Sequence, residues 1–154
     1  MASNKVFQGE DGMLIQADNY CLADLHKFIL AHKASPLGFL VTMMTFRADT
    51  PSSCGIVELD GYGVVIGFHE KVSKPPVNLA NGAVYILSAE MLKILGQDFG
   101  GATDFSTDML EHFVGRIYSY EICELFLDIG TPEAYGKAND FINTETAIKW
   151  RTQQ

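Results

Sequence analysis

The chain has 154 residues, 47% of them apolar and 19% charged, which suits one folded domain with its own core and excludes a disordered, solvated segment. A formal charge of −8 argues against a nucleic-acid-binding surface, which would cluster Lys and Arg. Cys21, Cys54 and Cys123 form no CxxC pair, and neither an apolar leader nor a bilayer-length apolar run is present, so a cytoplasmic protein with reduced thiols and no membrane partner is expected.

Met13 to Ala17 is a short apolar run between Asp-Gly and Asp-Asn and predicts a buried strand. Leu22, Leu25, Phe28, Ile29 and His32 recur at helical spacing, so a helix should follow and end before Ser35-Pro36. Gly38 to Phe46 reads as a second buried strand, completing a βαβ unit with a right-handed crossover. Cys54–Leu59 and Val64–Phe68 flank Asp60-Gly61-Tyr62-Gly63, a hairpin signal. After a Pro- and Lys-bearing loop from Lys71 to Asn78, Ala83 to Leu87 predicts a strand, and Ser88 caps a helix through Leu95. A loop over Gly96–Thr103 leads to a helix from about Asp104 to Phe113, marked by Phe105, Met109 and Phe113. Ile117–Tyr120 and Leu125–Asp128 are further strands. Thr131-Pro132 opens a last helix with Ala134, Tyr135, Ala138, Phe141 and Ile142 as its apolar stripe. No repeat or linker interrupts this order, so residues 1–154 are expected to form a single α/β domain.

Two strand ends carry acids: Ala17-Asp18-Asn19 and Leu127-Asp128-Ile129-Gly130. Each places one carboxylate at the mouth of a sheet, and two such carboxylates could share a divalent cation that neutralises phosphate charge. The plainer reading makes Asp18 a turn or cap residue before the helix, and Asp128 a turn residue before Thr131. Among the histidines, His26 and His32 sit six apart on one helix, while His69 and His112 have no evident partner. Cys54 and Cys123 lie in β-rich runs and read as small hydrophobes rather than nucleophiles. Trp150 lies near the terminus, where it packs on a partner or has no role.

Four blocks, taken in order, resemble the sugar-1-phosphate nucleotidyltransferases: Ala17-Asp18-Asn19; Cys54-Gly55-Ile56-Val57-Glu58-Leu59-Asp60; Phe68-His69-Glu70-Lys71 leading to Asn81-Gly82-Ala83-Val84-Tyr85; and Phe126-Leu127-Asp128-Ile129-Gly130-Thr131-Pro132. The resemblance runs from about Gly12 to Ile142. Its wording is closest to mannose-1-phosphate guanylyltransferase-like proteins, including those acting on heptose phosphates. It implies a Rossmann-like αβα sandwich with a mixed, mostly parallel sheet. It also implies an in-line attack by a sugar 1-phosphate on the α-phosphorus of a nucleoside triphosphate, with GTP and mannose 1-phosphate as the expected pair and Mg²⁺ as cofactor.

Carried over by position, Asp18 and Asp128 would hold the Mg²⁺. Glu70 would accept sugar hydroxyls, and Lys71 would approach the sugar phosphate. Gly55 and Gly82 would let the backbone come close to the sugar, and Asn81 would face its hydroxyls. Each has a structural alternative: a solvated charge pair for Glu70 and Lys71, bulge glycines for Gly55 and Gly82, a turn cap for Asn81. Glu58 fits an outward-facing strand position.

One departure is large. The family opens with a strand running into a Gly-rich loop that cradles the triphosphate, and only a dozen residues precede the first strand here. The chain therefore resembles the carboxyl-terminal two thirds of such an enzyme, lacking the first strands of its fold. Two expectations follow: the chain alone does not turn over, and its open strand edge drives it into a dimer or higher oligomer. The alternative is a non-catalytic module that binds sugar phosphate or a partner subunit.

Overall fold

The structure is a computed structural model describing residues 9–36, 38–99, 101, 104–142 and 144. Its strands are β1 (Gly12–Ile15), β2 (Asn19–Cys21), β3 (Val41–Arg47), β4 (Gly55–Leu59), β5 (Val65–Glu70), β6 (Leu79–Leu87), β7 (Ile117–Glu121) and β8 (Phe126–Asp128). Its helices are α1 (Leu25–Ala34), α2 (Ala89–Asp98), α3 (Phe105–Asp108) and α4 (Pro132–Ile142), with a 3₁₀ turn over Leu110–Phe113. The chain divides into two compact units, one of residues 1–15 and 24–123, the other of 16–23 and 124–154. The expected Trp150 contact lies outside the described residues.

The first unit is a mixed sheet in the order β5-β4-β6-β3-β7, with β1 also paired to β6. The expected mixed α/β sheet is present, and its balance leans antiparallel. Strand β6 runs against β1, β3 and β4, and β3–β7 is the parallel pair. β6 therefore separates β1 from β3, so the two strands expected to form the βαβ unit are not hydrogen-bonded neighbours. β6 also starts at Leu79, four residues before the predicted Ala83, because Leu79 and Ala80 are buried and pair with Arg47 and Phe46.

The hairpin falls where the turn residues placed it. Asp60 Oδ1 accepts from the N–H groups of Tyr62 and Val64, and Gly63 takes a φ of +83° that a side chain would resist. Gly63 O accepts from Ser119 N at 2.9 Å, and Val65 O accepts from Gly115 N at 2.8 Å. The hairpin tip thus reaches β7, and the sheet curls around a core containing Val57, Val65, Leu79, Tyr85, Met43 and Leu110.

Helix boundaries show what propensity missed. α1 begins at Leu25 rather than Leu22, because Asp24 Oδ1 caps it by accepting from His26 N and Lys27 N. Its C-cap is Ser35, where the following proline was expected to stop it. α2 runs to Asp98, one turn past the prediction. The helix expected over Asp104–Phe113 breaks at Met109 (φ −122°, ψ −46°) into α3 and the 3₁₀ turn. At three residues per turn, Leu110 and Phe113 stack on one face, and both are buried.

The second unit contains β2, β8 and α4. β2 pairs antiparallel with β8, a strand pairing that the sequence reading did not anticipate. Thr131 Oγ1 accepts from Ala134 N and opens α4, and Tyr20 meets Phe141 edge-on at 6.4 Å. Ala138 is buried, whereas Tyr135, placed in the apolar stripe by spacing, is 60% exposed.

Candidate functional site

The second unit brings the two acids together. The register Asn19–Asp128, Tyr20–Leu127, Cys21–Phe126 aligns the segments, and Ile129 N donates to Asp18 O at 2.8 Å just beyond the ladder. A Cβ placed on Gly130 would lie 3.0 Å from Asp128 Oδ1 and 3.7 Å from Asp18 Oδ2. The two oxygens can therefore be no farther apart than those distances combined, well inside a nanometre. Gly130 leaves room for both.

Local duties leave this pair largely uncommitted. Asp24, not Asp18, caps α1, and Thr131, not Asp128, caps α4. Asp128 Oδ1 accepts from Gly130 N at 2.8 Å, a turn contact that leaves its second oxygen over. Among the described residues no Lys, Arg or His pairs with either carboxylate. Two acceptor-only groups held together without a counter-cation match the donor chemistry of a hard divalent metal. No group of three or more His, Cys, Asp and Glu stands ready for a metal among the described residues. A cation here would take its remaining ligands from water or substrate oxygens, as Mg²⁺ commonly does. Nearby, Asn19 Nδ2 is buried without a hydrogen-bond partner.

The first unit assembles the other cluster. Gly55 and Glu70 are cross-strand partners, and a Cβ on Gly55 would lie 2.7 Å from Glu70 Oε2 and 2.9 Å from the Phe68 ring. Lys71 Nζ stands 3.6 Å from Glu70 Oε1, and Lys71 N donates to Cys54 O. Both side chains are partly solvated, so this ion pair adds little stability. Lys71 has a φ of +48°.

Asn81 is committed internally. Its Oδ1 accepts from Ala83 N at 2.9 Å, and its Nδ2 donates to the Tyr85 hydroxyl at 2.7 Å. The turn-capping alternative is thus realised, and it holds Ala83 at a φ of +52°. Lys71 and Ala83 are the non-glycine residues with positive φ among the described residues, and each such conformation costs roughly 1–3 kcal/mol. Strain of this kind gathers where backbone must be held for a ligand.

Gly82 sits in a gap. On one edge of β6, Ala80 pairs with Ile56 of β4, and Val84 onward pairs with β1. Among the described residues, Asn81, Gly82 and Ala83 have no strand partner on that edge.

Several contributors escaped the sequence. Tyr85 is buried, and burial first of all raises its phenol above the ordinary value; the carboxylates of Asp104 and Glu70 act in the same sense. Its hydroxyl also meets Ser106 Oγ at 3.1 Å. His69 does have a partner: Nε2 bonds Glu58 Oε1 across the hairpin, over Gly67. Cross-strand diagonal pairing could have found that contact once the register was known. His32 bonds Thr42 and Asp11, which makes it structural.

A model of the nucleotidyl transferase family matches residues 1–145. The chain belongs to that family. It is 28% identical over 134 residues to a glucose-1-phosphate adenylyltransferase from Desulfitobacterium hafniense strain Y51, covering 82% of this chain and 34% of that protein. HddC from Yersinia pseudotuberculosis, solved alone and with GMP-PN, matches with a TM-score of 0.73 and 26% identity, over 92% of this chain and 59% of that one. A Bacillus anthracis protein assigned as a glucose-1-phosphate thymidylyltransferase, crystallised with sucrose, shares the fold with a TM-score of 0.77 at 15% identity, over 90% of this chain and 56% of that one. The chain thus spans about a third of the curated relative and under two thirds of the solved ones. No helix among the described residues is long and apolar enough to cross a membrane.

Proposed function

We propose that the protein containing this chain transfers a nucleotidyl group from a nucleoside triphosphate to a sugar 1-phosphate, releasing pyrophosphate. The observation that carries this reading is the convergence of Asp18 and Asp128 over Gly130, in a chain of the nucleotidyl transferase family. Asp18 and Asp128 would hold a hard divalent cation by their oxygen chemistry, Mg²⁺ being the one the family resemblance implies. Bound there, it would supply charge neutralisation for the reacting phosphates.

The chain's own residues serve the sugar phosphate. Glu70, its carboxylate seated where a side chain on Gly55 would lie, accepts hydrogen bonds from sugar hydroxyls. The Lys71 ammonium is exposed at the end of β5 and offers a compact charge to the sugar phosphate. Asn81 acts by clamping the Gly82–Ala83 turn, which keeps the unpaired edge of β6 in one shape. GTP with mannose 1-phosphate is the substrate pair favoured by the sequence blocks, and the curated relative's own name makes ATP with glucose 1-phosphate the pair to test beside it.

The test is pyrophosphate release with Mg²⁺ and a grid of nucleoside triphosphates and sugar 1-phosphates. It is run on the 154-residue chain and on the same chain joined to a family segment bearing the Gly-rich loop. The reading expects turnover from the joined form and none from the chain alone. An inert joined form would turn the interpretation to a sugar-phosphate-binding module.

A further inference from the structure

Asn81, Tyr85 and Ser106 form a hydrogen-bonded chain whose direction is fixed from one end. The Ala83 N–H can only donate, so the Asn81 atom it meets at 2.9 Å is the carbonyl oxygen. The amide NH₂ is then the group facing the Tyr85 hydroxyl at 2.7 Å, and it too can only donate. Tyr85 oxygen accepts there and must send its own proton elsewhere. Ser106 Oγ, at 3.1 Å, is its other partner. Ser106 therefore accepts from Tyr85, and nothing among the described residues receives the Ser106 proton.

The chain is held rigidly. The Tyr85 ring is buried and packs against Phe105 at 4.9 Å between centroids, so it cannot swing away. Asp104 accepts from Ser106 N and Thr107 N, which fixes the Ser106 backbone. Ser106 itself is only half-buried. Glu70 pairs with Gly55 across β4 and β5, and Gly55 adjoins Ile56, the partner of Ala80, so the ladders set an acceptor-only carboxylate two strands from Asn81, across a position with no side chain.

We propose that Ser106 is a sugar-reading residue, donating its hydroxyl proton to an oxygen of the sugar 1-phosphate whose hydroxyls Glu70 accepts. Asn81 and Tyr85 are positioning residues that aim it. This rests on the sugar 1-phosphate reading above.

The test is calorimetric titration of the full-length protein with glucose 1-phosphate, mannose 1-phosphate and, as control, inorganic phosphate. Wild type is compared with Ser106→Ala, Tyr85→Phe and the double variant. Ser106→Ala should weaken binding of at least one sugar phosphate about tenfold, equivalent to one lost hydrogen bond, and leave inorganic phosphate unchanged. Tyr85→Phe keeps the ring and should weaken the same ligand. The double variant should be no worse than Ser106→Ala, because the two residues act as one unit. Wild-type affinity in Ser106→Ala overturns the proposal, as does an equal loss for sugar phosphate and inorganic phosphate. Wild type that binds neither sugar phosphate overturns the sugar 1-phosphate reading itself, and this inference with it. If Tyr85→Phe does not fold, Ser106→Ala alone decides.

Discussion

The carboxylate of Glu70 occupies the space that a side chain on Gly55 would need, with Oε2 only 2.7 Å from that position. The two residues are opposed across β4 and β5, so any larger residue at 55 must push the carboxylate aside. Under the proposed function, Gly55→Ala should leave the fold intact and cut turnover of the chain joined to the Gly-rich-loop segment by about 10²-fold, the scale of a misplacement near 1 Å. Steady-state kinetics with saturating nucleotide checks this. An unchanged kcat/KM for sugar phosphate would separate Glu70 from the site.

Ala83 holds a left-handed backbone at φ +52° because Asn81 Oδ1 captures its N–H. Releasing the Cβ conflict with Ala83→Gly should stabilise the protein by roughly 0.5–1 kcal/mol, the left-handed penalty less the added glycine entropy. Asn81→Ala removes both the clamp and the donor to Tyr85 and should cost about 2 kcal/mol. Urea unfolding with an unchanged slope reads both.

Tyr85 gives the chain an alkaline limit. Its pKa is raised above 10, so the folded state holds the phenolic proton more tightly than the unfolded chain does. The associated stability is present below pH 10 and is lost as pH rises through the folded value. Tyr85→Phe has no such proton, so its stability should fall less steeply above pH 10 than that of wild type. Chemical unfolding at a series of alkaline pH values tests the sign.

β1 is hydrogen-bonded to β6 and to no other described strand, and Ile15 at its end is 49% exposed. An edge of this kind pairs with other chains. The 154-residue chain should therefore sediment as a dimer or larger at micromolar concentration, and Ile15→Lys should shift it towards monomer. A well-behaved wild-type monomer would contradict this.

The sequence made legible what depends on local chemistry. Asp60-Gly61-Tyr62-Gly63 fixed the hairpin because its side-chain and glycine requirements are met within four residues. Ser88 and Thr131 opened helices for the same reason. Where non-local pairing decided the outcome, periodicity was silent. β6 inserts between β1 and β3 and runs against its neighbours, and β2 exists only because β8 lies opposite. Asp18 and Asp128 were visible as residues, but their approach depends on that β2–β8 ladder. Asn81 was visible as a polar residue that either faces the sugar or caps a turn, and its amide is committed to Ala83 and Tyr85. Ser106 carries no motif and could be found only through Tyr85.

The central claim is that Asp18 and Asp128 hold one divalent cation. Manganese is a paramagnetic substitute for magnesium, and its titration can be followed by broadening of backbone amide resonances. The account predicts selective broadening at Ile129 and Gly130 in the wild-type protein, abolished by Asp128→Asn and by Asp18→Asn while the remaining spectrum stays folded. Equal broadening in wild type and in both variants, or broadening centred elsewhere, would contradict it.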